Sequence, residues 1–427
     1  MTLRRFASLL ALVFILHLGL PRHAYAQNAA EIVIEWNRIL QTTLGIPGAL
    51  PPTTFFPRPY AILHVAMFDA LNSIDPVYRE YAVRATVIGS PSREVAAAQA
   101  ARDVMVAMFP AQAATFNAAL AATVARFPGD PATQGANVGA VAARAILAAR
   151  ADDGWIRTGQ VPYILPDLPG YWQPVPPQNA AATLFHYQDV LPFVVGSRLH
   201  FAVEAPPALT SQRYADDFNE VKRLGGATST ERTPQQTQTA RLWAGVGYAT
   251  SIPGVWHNLG RDLARSRALN GVDTARALAL LAITMHDALL TSFSGKFIYG
   301  LWRPTTAIRN AHRDNNPATE VDPNFVSLLP TPPYPAYPGN VACIGASSSA
   351  LFARLWGRDA IPFSVTWTGI APQTDVTKPY NGFRELADDG ARSRIYGGIH
   401  FTFDHTASFG SCTAVGNYAF ANYMAPR

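Results

Sequence analysis

The sequence predicts a mainly α-helical protein, and three observations carry that prediction. Apolar residues recur at helical spacing over long segments, several segments are Ala-rich and separated by single prolines, and no stretch alternates with period two for long enough to build a sheet. The first helix is read over Ala29 to Thr43, where Ile32, Ile34, Trp36, Ile39 and Leu40 supply the spacing; the Pro-rich link from Pro47 to Pro59 ends it. The segment from Tyr60 to Asn72 is apolar almost all round, the mark of a helix buried among other helices. His64 and Asp69 interrupt it and read as core polar groups satisfied by neighbouring helices. Residues 92–108, 111–126 and 131–150 are Ala-rich scaffold helices broken at Pro110, Pro128 and Pro131.

From Asp152 to Pro207 the chain is rich in Pro, Gly and aromatic residues with little periodicity, as expected of a segment that wraps the surface or shapes a pocket mouth. Helices resume at Ser211–Leu224, Pro234–Val246 and Asn258–Ala268. Thr210-Ser211 opens the first, and Thr233-Pro234 gives the second an N-cap and an N1 proline. A long buried helix follows over 272–294. Its Met285-His286-Asp287-Ala288-Leu289 resembles His64 to Ala70, a weak internal repeat.

Residues 1–26 read as a secretory leader: Arg4-Arg5, an apolar run from Phe6 to Leu20, and the small-x-small site Ala24-Tyr25-Ala26 before Gln27. The expected product is soluble and secreted or periplasmic, with no membrane span after the leader is removed, and with an N-terminal half at 27–207 and a C-terminal half at 208–427. Removing the leader takes away three arginines and no acid, so 34 − 3 basic residues face 29 acidic ones and the charge falls from +5 to +2. That is too small for a nucleic-acid partner. Cys343 and Cys412 are the only cysteines. In an oxidising compartment they suggest one disulfide, the alternative being two buried thiols.

Three segments after residue 290 carry chemistry. In Ser294 to Pro304, Lys296 and Arg303 stand seven residues apart among Phe297, Tyr299 and Trp302; on a continuous helix they would share one face, although Gly300 and Pro304 argue against continuity. A buried cation pair needs an anion, whereas two snorkelling surface cations would not. Pro332 to Ala346 is a Pro-bounded turn opening into a small-residue helix, whose N-terminus suits an anion. In Ser393 to Phe401, Gly397-Gly398 lets the chain turn so that Arg394 and His400 reach one point. Three cations, a helix N-terminus and one imidazole describe a tetrahedral oxyanion site.

The Lys-x6-Arg-Pro and Ser-Arg-x3-Gly-x-His stretches resemble the first and third motifs of the vanadium-dependent haloperoxidases, within the phosphatidic acid phosphatase type 2 superfamily. Similarity extends upstream through His64 to Ala70, Asn219 to Gly225 and Arg232-Thr233. The resemblance implies two packed four-helix bundles with long irregular connections. It also implies that Lys296, Arg303 and Arg394 hold the oxygens of vanadate or phosphate, and that His400 bonds vanadium or attacks phosphorus.

The middle motif departs from the family's Pro-Ser-Gly-His or Pro-Ser-Asn-His. Pro338-Gly339-Asn340-Val341 stands there, without the serine hydroxyl or the acid–base histidine. What survives is a backbone N–H of Gly339 or Asn340 and the Asn340 amide. His405, Asp404 and His312 are the nearest replacement proton donors in sequence, each also readable as structural. General acid–base assistance is worth about 10² to 10⁴ in rate.

The expectation is therefore an exported haloperoxidase-like enzyme of impaired turnover, using vanadate with peroxide and halide. The alternatives are an acid-phosphatase-like hydrolase of phosphate esters and a non-catalytic oxyanion or small-molecule binder. Homo-oligomerisation stays open.

Overall fold

A computed structural model describes residues 20–50, 57–156, 162–244, 251–368 and 375–427, with side chains from residue 28 onward. The expected leader lies outside them apart from the backbone of 20–26, which opens the first helix. Thirteen α-helices are found among the described residues: α1 (Leu20–Leu44), α2 (Pro57–Ile74), α3 (Arg93–Met108), α4 (Ala113–Arg126), α5 (Asp130–Ala149), α6 (Gln212–Gly225), α7 (Pro234–Leu242), α8 (Ile252–Ser266), α9 (Gly271–Tyr299), α10 (Pro304–Arg309), α11 (Asn340–Leu355), α12 (Phe383–Tyr396) and α13 (Thr402–Asn422). The fold is all-α as expected. The helix expected over 234–246 ends earlier, at Leu242, where Trp243 caps it by donating to Thr239 O and Arg241 O; residues 245–246 of that expectation lie outside the described residues.

Local chemistry sets the helix starts. Ser92, Ser211, Ser251 and Asn270 each accept a backbone N–H three residues on, and Thr233 with Gln236 closes a capping box ahead of Pro234. One element was not read from the sequence: β1 (Phe363–Trp367) pairs antiparallel with β2 (Val376–Tyr380). Five residues per strand are too few for alternation to register as a period.

The helix α9 organises the packing. It lies against α1 and α2 on one side, where α2, α3 and α5 complete the first bundle, and against α11 and α13 on the other, where α12 completes the second. Nearly every residue of α9 is buried. It is long and apolar enough to cross a membrane by length and composition, yet here it is the core helix shared by both bundles.

Two aspartates do matching work on the buried helices. Asp69 of α2 accepts the N–H groups of Tyr81, Ala82 and Val83, and Asp287 of α9 accepts those of Phe193, Val194 and Val195. This is the physical content of the internal repeat: each carboxylate pins three successive N–H groups of an irregular segment, partly exposed at 81–83 and buried at 193–195, where those groups would otherwise lack partners. The second one fastens the long Asp152–Pro207 connection, which goes on to pair Trp172 N with Gly300 O at 2.7 Å and Gly170 O with Trp302 N at 2.8 Å. The connection is thereby laid against the Lys296/Arg303 stretch.

His64 is a core group, as expected. Its Nε2 lies 2.6 Å from the Asn37 amide, which also meets His257 Nδ1 at 3.0 Å, and Arg261 donates to Asn37 Oδ1. Burial, with Arg261 next, depresses His64 to about 3; burial, His64 and Arg261 hold His257 well below its usual value. Both are neutral in the fold and take up a proton on unfolding below pH 6.5. Each therefore contributes stability that is whole above 6.5 and is lost as pH falls toward the folded value, by up to ~1.4 kcal/mol per pH unit. His257→Gln should accordingly narrow its stability gap from the unaltered protein by about that amount for each unit between pH 6.5 and 5, measured by urea unfolding.

Cys343 on α11 and Cys412 on α13 are joined by a disulfide and wholly buried. With the cysteines 69 positions apart in sequence, the chain-entropy model assigns the bridge up to ~4 kcal/mol. Cys343→Ala with Cys412→Ala should lower the unfolding free energy by up to that amount, and the unaltered protein unfolded without reductant should titrate no free thiol.

Candidate functional site

Lys296 and Arg303 converge without sharing a helix. The chain reverses at Gly300, which adopts φ 58° and caps α9 by donating to Lys296 O; a side chain is strained there, and a Cβ would fall 2.5 Å from Leu165. Lys296 therefore lies in the last turn of α9, and Arg303 is the residue before Pro304, which starts α10. Both are wholly buried.

Backbone carbonyls solvate the cations. Lys296 Nζ donates to Pro335 O at 3.1 Å, Ala336 O at 2.7 Å and Pro338 O at 2.5 Å, using all three of its protons. Arg303 donates through Nε to Tyr334 O at 2.7 Å and through Nη1 to Ile399 O at 2.8 Å and His400 Nε2 at 3.1 Å. Its Nη2 is buried with no partner. Arg394 Nη1 donates to Trp243 O at 2.5 Å. The Tyr334 ring lies beside the Lys296 ammonium and the Arg303 guanidinium, 5.4 and 4.9 Å from its centroid. Burial lowers the pKa of Lys296 well below its usual value, with Arg303 adding to the effect, and lowers Arg303 and Arg394 to about 10.

His400 takes a defined tautomer. A guanidinium cannot accept, so the contact with Arg303 makes Nε2 the acceptor, and the proton sits on Nδ1, 2.7 Å from Asp404 Oδ2. Burial first, then Arg303 and Lys296, hold this imidazole well below its usual pKa and keep it neutral. Asp404 also caps α13 by accepting the Phe401 N–H at 3.0 Å. Burial raises it to about 7, against the Phe401 N–H, Lys296 and Arg303, which pull it down. Its Oδ1 has no partner.

The middle segment is arranged differently from expectation. The Gly339 N–H, expected to face an oxyanion, donates to Asp404 O at 3.2 Å, and the Val341 N–H meets the side-chain oxygen of Asn340 at 3.1 Å. With neither serine nor histidine in the motif, the N-terminus of α11 closes on a neighbouring carbonyl and on its own asparagine. The Asn340 amide instead reaches Tyr334 Oη at 3.4 Å.

Of the three alternative proton donors, Asp404 and His405 are in the cluster. His312 lies exposed on the 3-10 turn Ala311–Arg313 and makes none of the cluster's contacts. Tyr334 was missed by sequence reasoning: among the prolines of 332–338 it reads as a loop aromatic, and nothing local reveals two cations against its ring.

The helical architecture matches solved vanadium haloperoxidases: the first bacterial vanadium-dependent iodoperoxidase, with TM-score 0.73 and 20% identity over 95% of this chain and 97% of that one, and a bacterial vanadium-dependent chloroperoxidase in its holo form, 0.65 and 17% over 87% and 93%. The apo form of the latter gives 0.68 and 18% over 89% and 96%. At such identities these likenesses concern the fold.

Residues 276–426 match the family described as the VCPO second helical-bundle domain, and the vanadium chloroperoxidase of Curvularia inaequalis is 25% identical over 305 residues. The chain is thus similar to vanadium haloperoxidases in fold and, over 276–426, in sequence. The aligned region is 55% of this chain and 49% of that protein, so the chain spans about half the length of this curated relative.

Asp404→Ala should remove the cap of α13 and cost about 1–2 kcal/mol in urea unfolding. It should also move the His400 Nδ1 signal in ¹⁵N spectra, because the proton would lose its acceptor.

Proposed function

We propose that the protein is an exported haloperoxidase-like enzyme that binds vanadate or phosphate at Lys296, Arg303, Arg394 and His400. The carrying observation is the buried charge: Lys296, Arg303 and Arg394 are all buried, Asp404 interacts with the first two, and Arg303 Nη2 is buried with nothing to donate to. An oxyanion supplies both the missing charge and the missing acceptor. The residues fit such a group in part, since the Lys296 protons are already spent on carbonyls and this side chain acts on an anion through its charge alone.

Vanadate, when bound, supplies a Lewis-acidic centre that polarises peroxide toward halide. The chain's own residues do the rest. Arg303 and Arg394 orient and neutralise oxygens, and neutral His400 presents the Nε2 lone pair, with Asp404 holding its other nitrogen. The same arrangement serves an acid-phosphatase-like hydrolase, in which that lone pair attacks phosphorus. Val341 moves no proton, so turnover in either chemistry should lie about 10² or more below a site with an acid–base histidine there. Export through the 1–26 leader accords with the Cys343–Cys412 bridge. We read 27–207 and 208–427 as the two halves of the mature chain.

The test is calorimetry with vanadate and with phosphate, followed by assays for bromination with peroxide and for aryl phosphate hydrolysis, each with and without vanadate. Binding is expected, and Arg394→Ala should weaken it about tenfold or more through the loss of a charge-assisted hydrogen bond. No binding of either anion to the unaltered protein would sink the proposal.

A further inference from the structure

His405 is a buried imidazole that the reading above does not use. It follows Asp404 on the first turn of α13, is 5% exposed, and its Nε2 has no partner. Its ring centroid lies 5.8 Å from that of His400, tilted by 49°. Lys296, Arg394 and Arg392 all act on it electrostatically, so it lies within the cation cluster.

Its placement depends on Gly339. A Cβ built on Gly339 would fall 2.9 Å from His405 Cδ2 and 3.5 Å from Nε2, so the Cδ2–Nε2 edge fills the space that a side chain at 339 would take. Gly339 has φ −79°, a conformation open to any residue, so only the space requires glycine here. α13 is drawn to the same point by one side chain and one carbonyl: Ser408 Oγ donates to Gly339 O at 2.9 Å, and Gly339 N donates to Asp404 O at 3.2 Å. An unpaired N–H in so buried a place is costly unless something accepts from it.

We propose that His405 is an anion-binding residue: Nε2–H donates to an oxygen of the oxyanion held by Arg303 and Arg394, from the space left by the absent side chain of Gly339. This rests on the reading of the cluster as an oxyanion site, and it identifies what stands in for the missing serine donor of the middle motif. It also carries a steric corollary. A serine at 339 and the imidazole at 405 exclude one another, so restoring the motif serine alone displaces the donor already present.

The experiment titrates the full-length mature protein with inorganic phosphate and with vanadate by calorimetry. His405→Phe keeps a ring and loses the donor, so binding should weaken about tenfold; His405→Gln, whose amide reaches about as far as Nε2, should retain most of it. A packing role alone would give the reverse order. Gly339→Ser should weaken binding, and adding His405→Ala to it should recover binding as the hydroxyl gains room. ¹⁵N spectra of the unaltered protein should show the His405 Nε2 signal moving on phosphate addition.

Equal affinity in the unaltered protein, His405→Phe and His405→Gln, with Arg394→Ala weakened, overturns the role of His405 and leaves the oxyanion site standing. Absence of binding in the unaltered protein overturns both. If the Phe variant does not fold, an unmoved Nε2 signal in the unaltered protein is itself sufficient to reject the role.

Discussion

The structure turns on the solvation of three buried cations by main-chain oxygen. Pro335, Ala336 and Pro338 surround the Lys296 ammonium, Tyr334 and Ile399 take Arg303, and Trp243 takes Arg394. Taking such charges out of water costs several kcal/mol each unless oxygens replace the hydration shell. The carbonyls come from three separate segments, so the cations fix loops that have no regular structure of their own. Tertiary position here follows from charge: the turn before α11, the turn after α12 and the end of α7 are gathered because their oxygens are needed.

Much of this was legible in the sequence, and the reasons are local. Prolines and short polar residues announce helix starts, and they did so at Ser211, Thr233 and Pro234. The conflict between Lys296 and Arg303 sharing a face and Gly300 breaking the helix was also visible, and the left-handed turn at Gly300 resolves it. What could not be read were contacts between distant segments. Tyr334 beneath the cations, the closure of the Gly339 N–H on Asp404, and His405 beside Gly339 each need the relative placement of α9, α11 and α13, which no spacing encodes. The hairpin of β1 and β2 escaped for a different reason, its strands being shorter than the window in which a period can be recognised.

The matching aspartates show how a faint repeat can hide a firm physical role. His64 to Ala70 and Met285 to Leu289 share few identities, yet Asp69 and Asp287 each collect three consecutive N–H groups from the segment that follows or crosses their helix. A carboxylate has the acceptor capacity for this, and it allows non-helical backbone to lie against a bundle core. Without Asp287 the long connection over 152–207 would have no anchor of this kind near the Lys296/Arg303 stretch.

The bridge between α11 and α13 has a geometric consequence as well as an energetic one. Gly339 precedes α11 by one residue and stands four before Cys343, while His405 lies on the first turn of α13, seven before Cys412. Sliding α13 along α11 by a single turn would shift its side chains by about 5.4 Å, a distance similar to that separating the two histidine rings. The covalent link holds the axial register of the two helices, and so fixes where along α11 the imidazole of His405 meets Gly339.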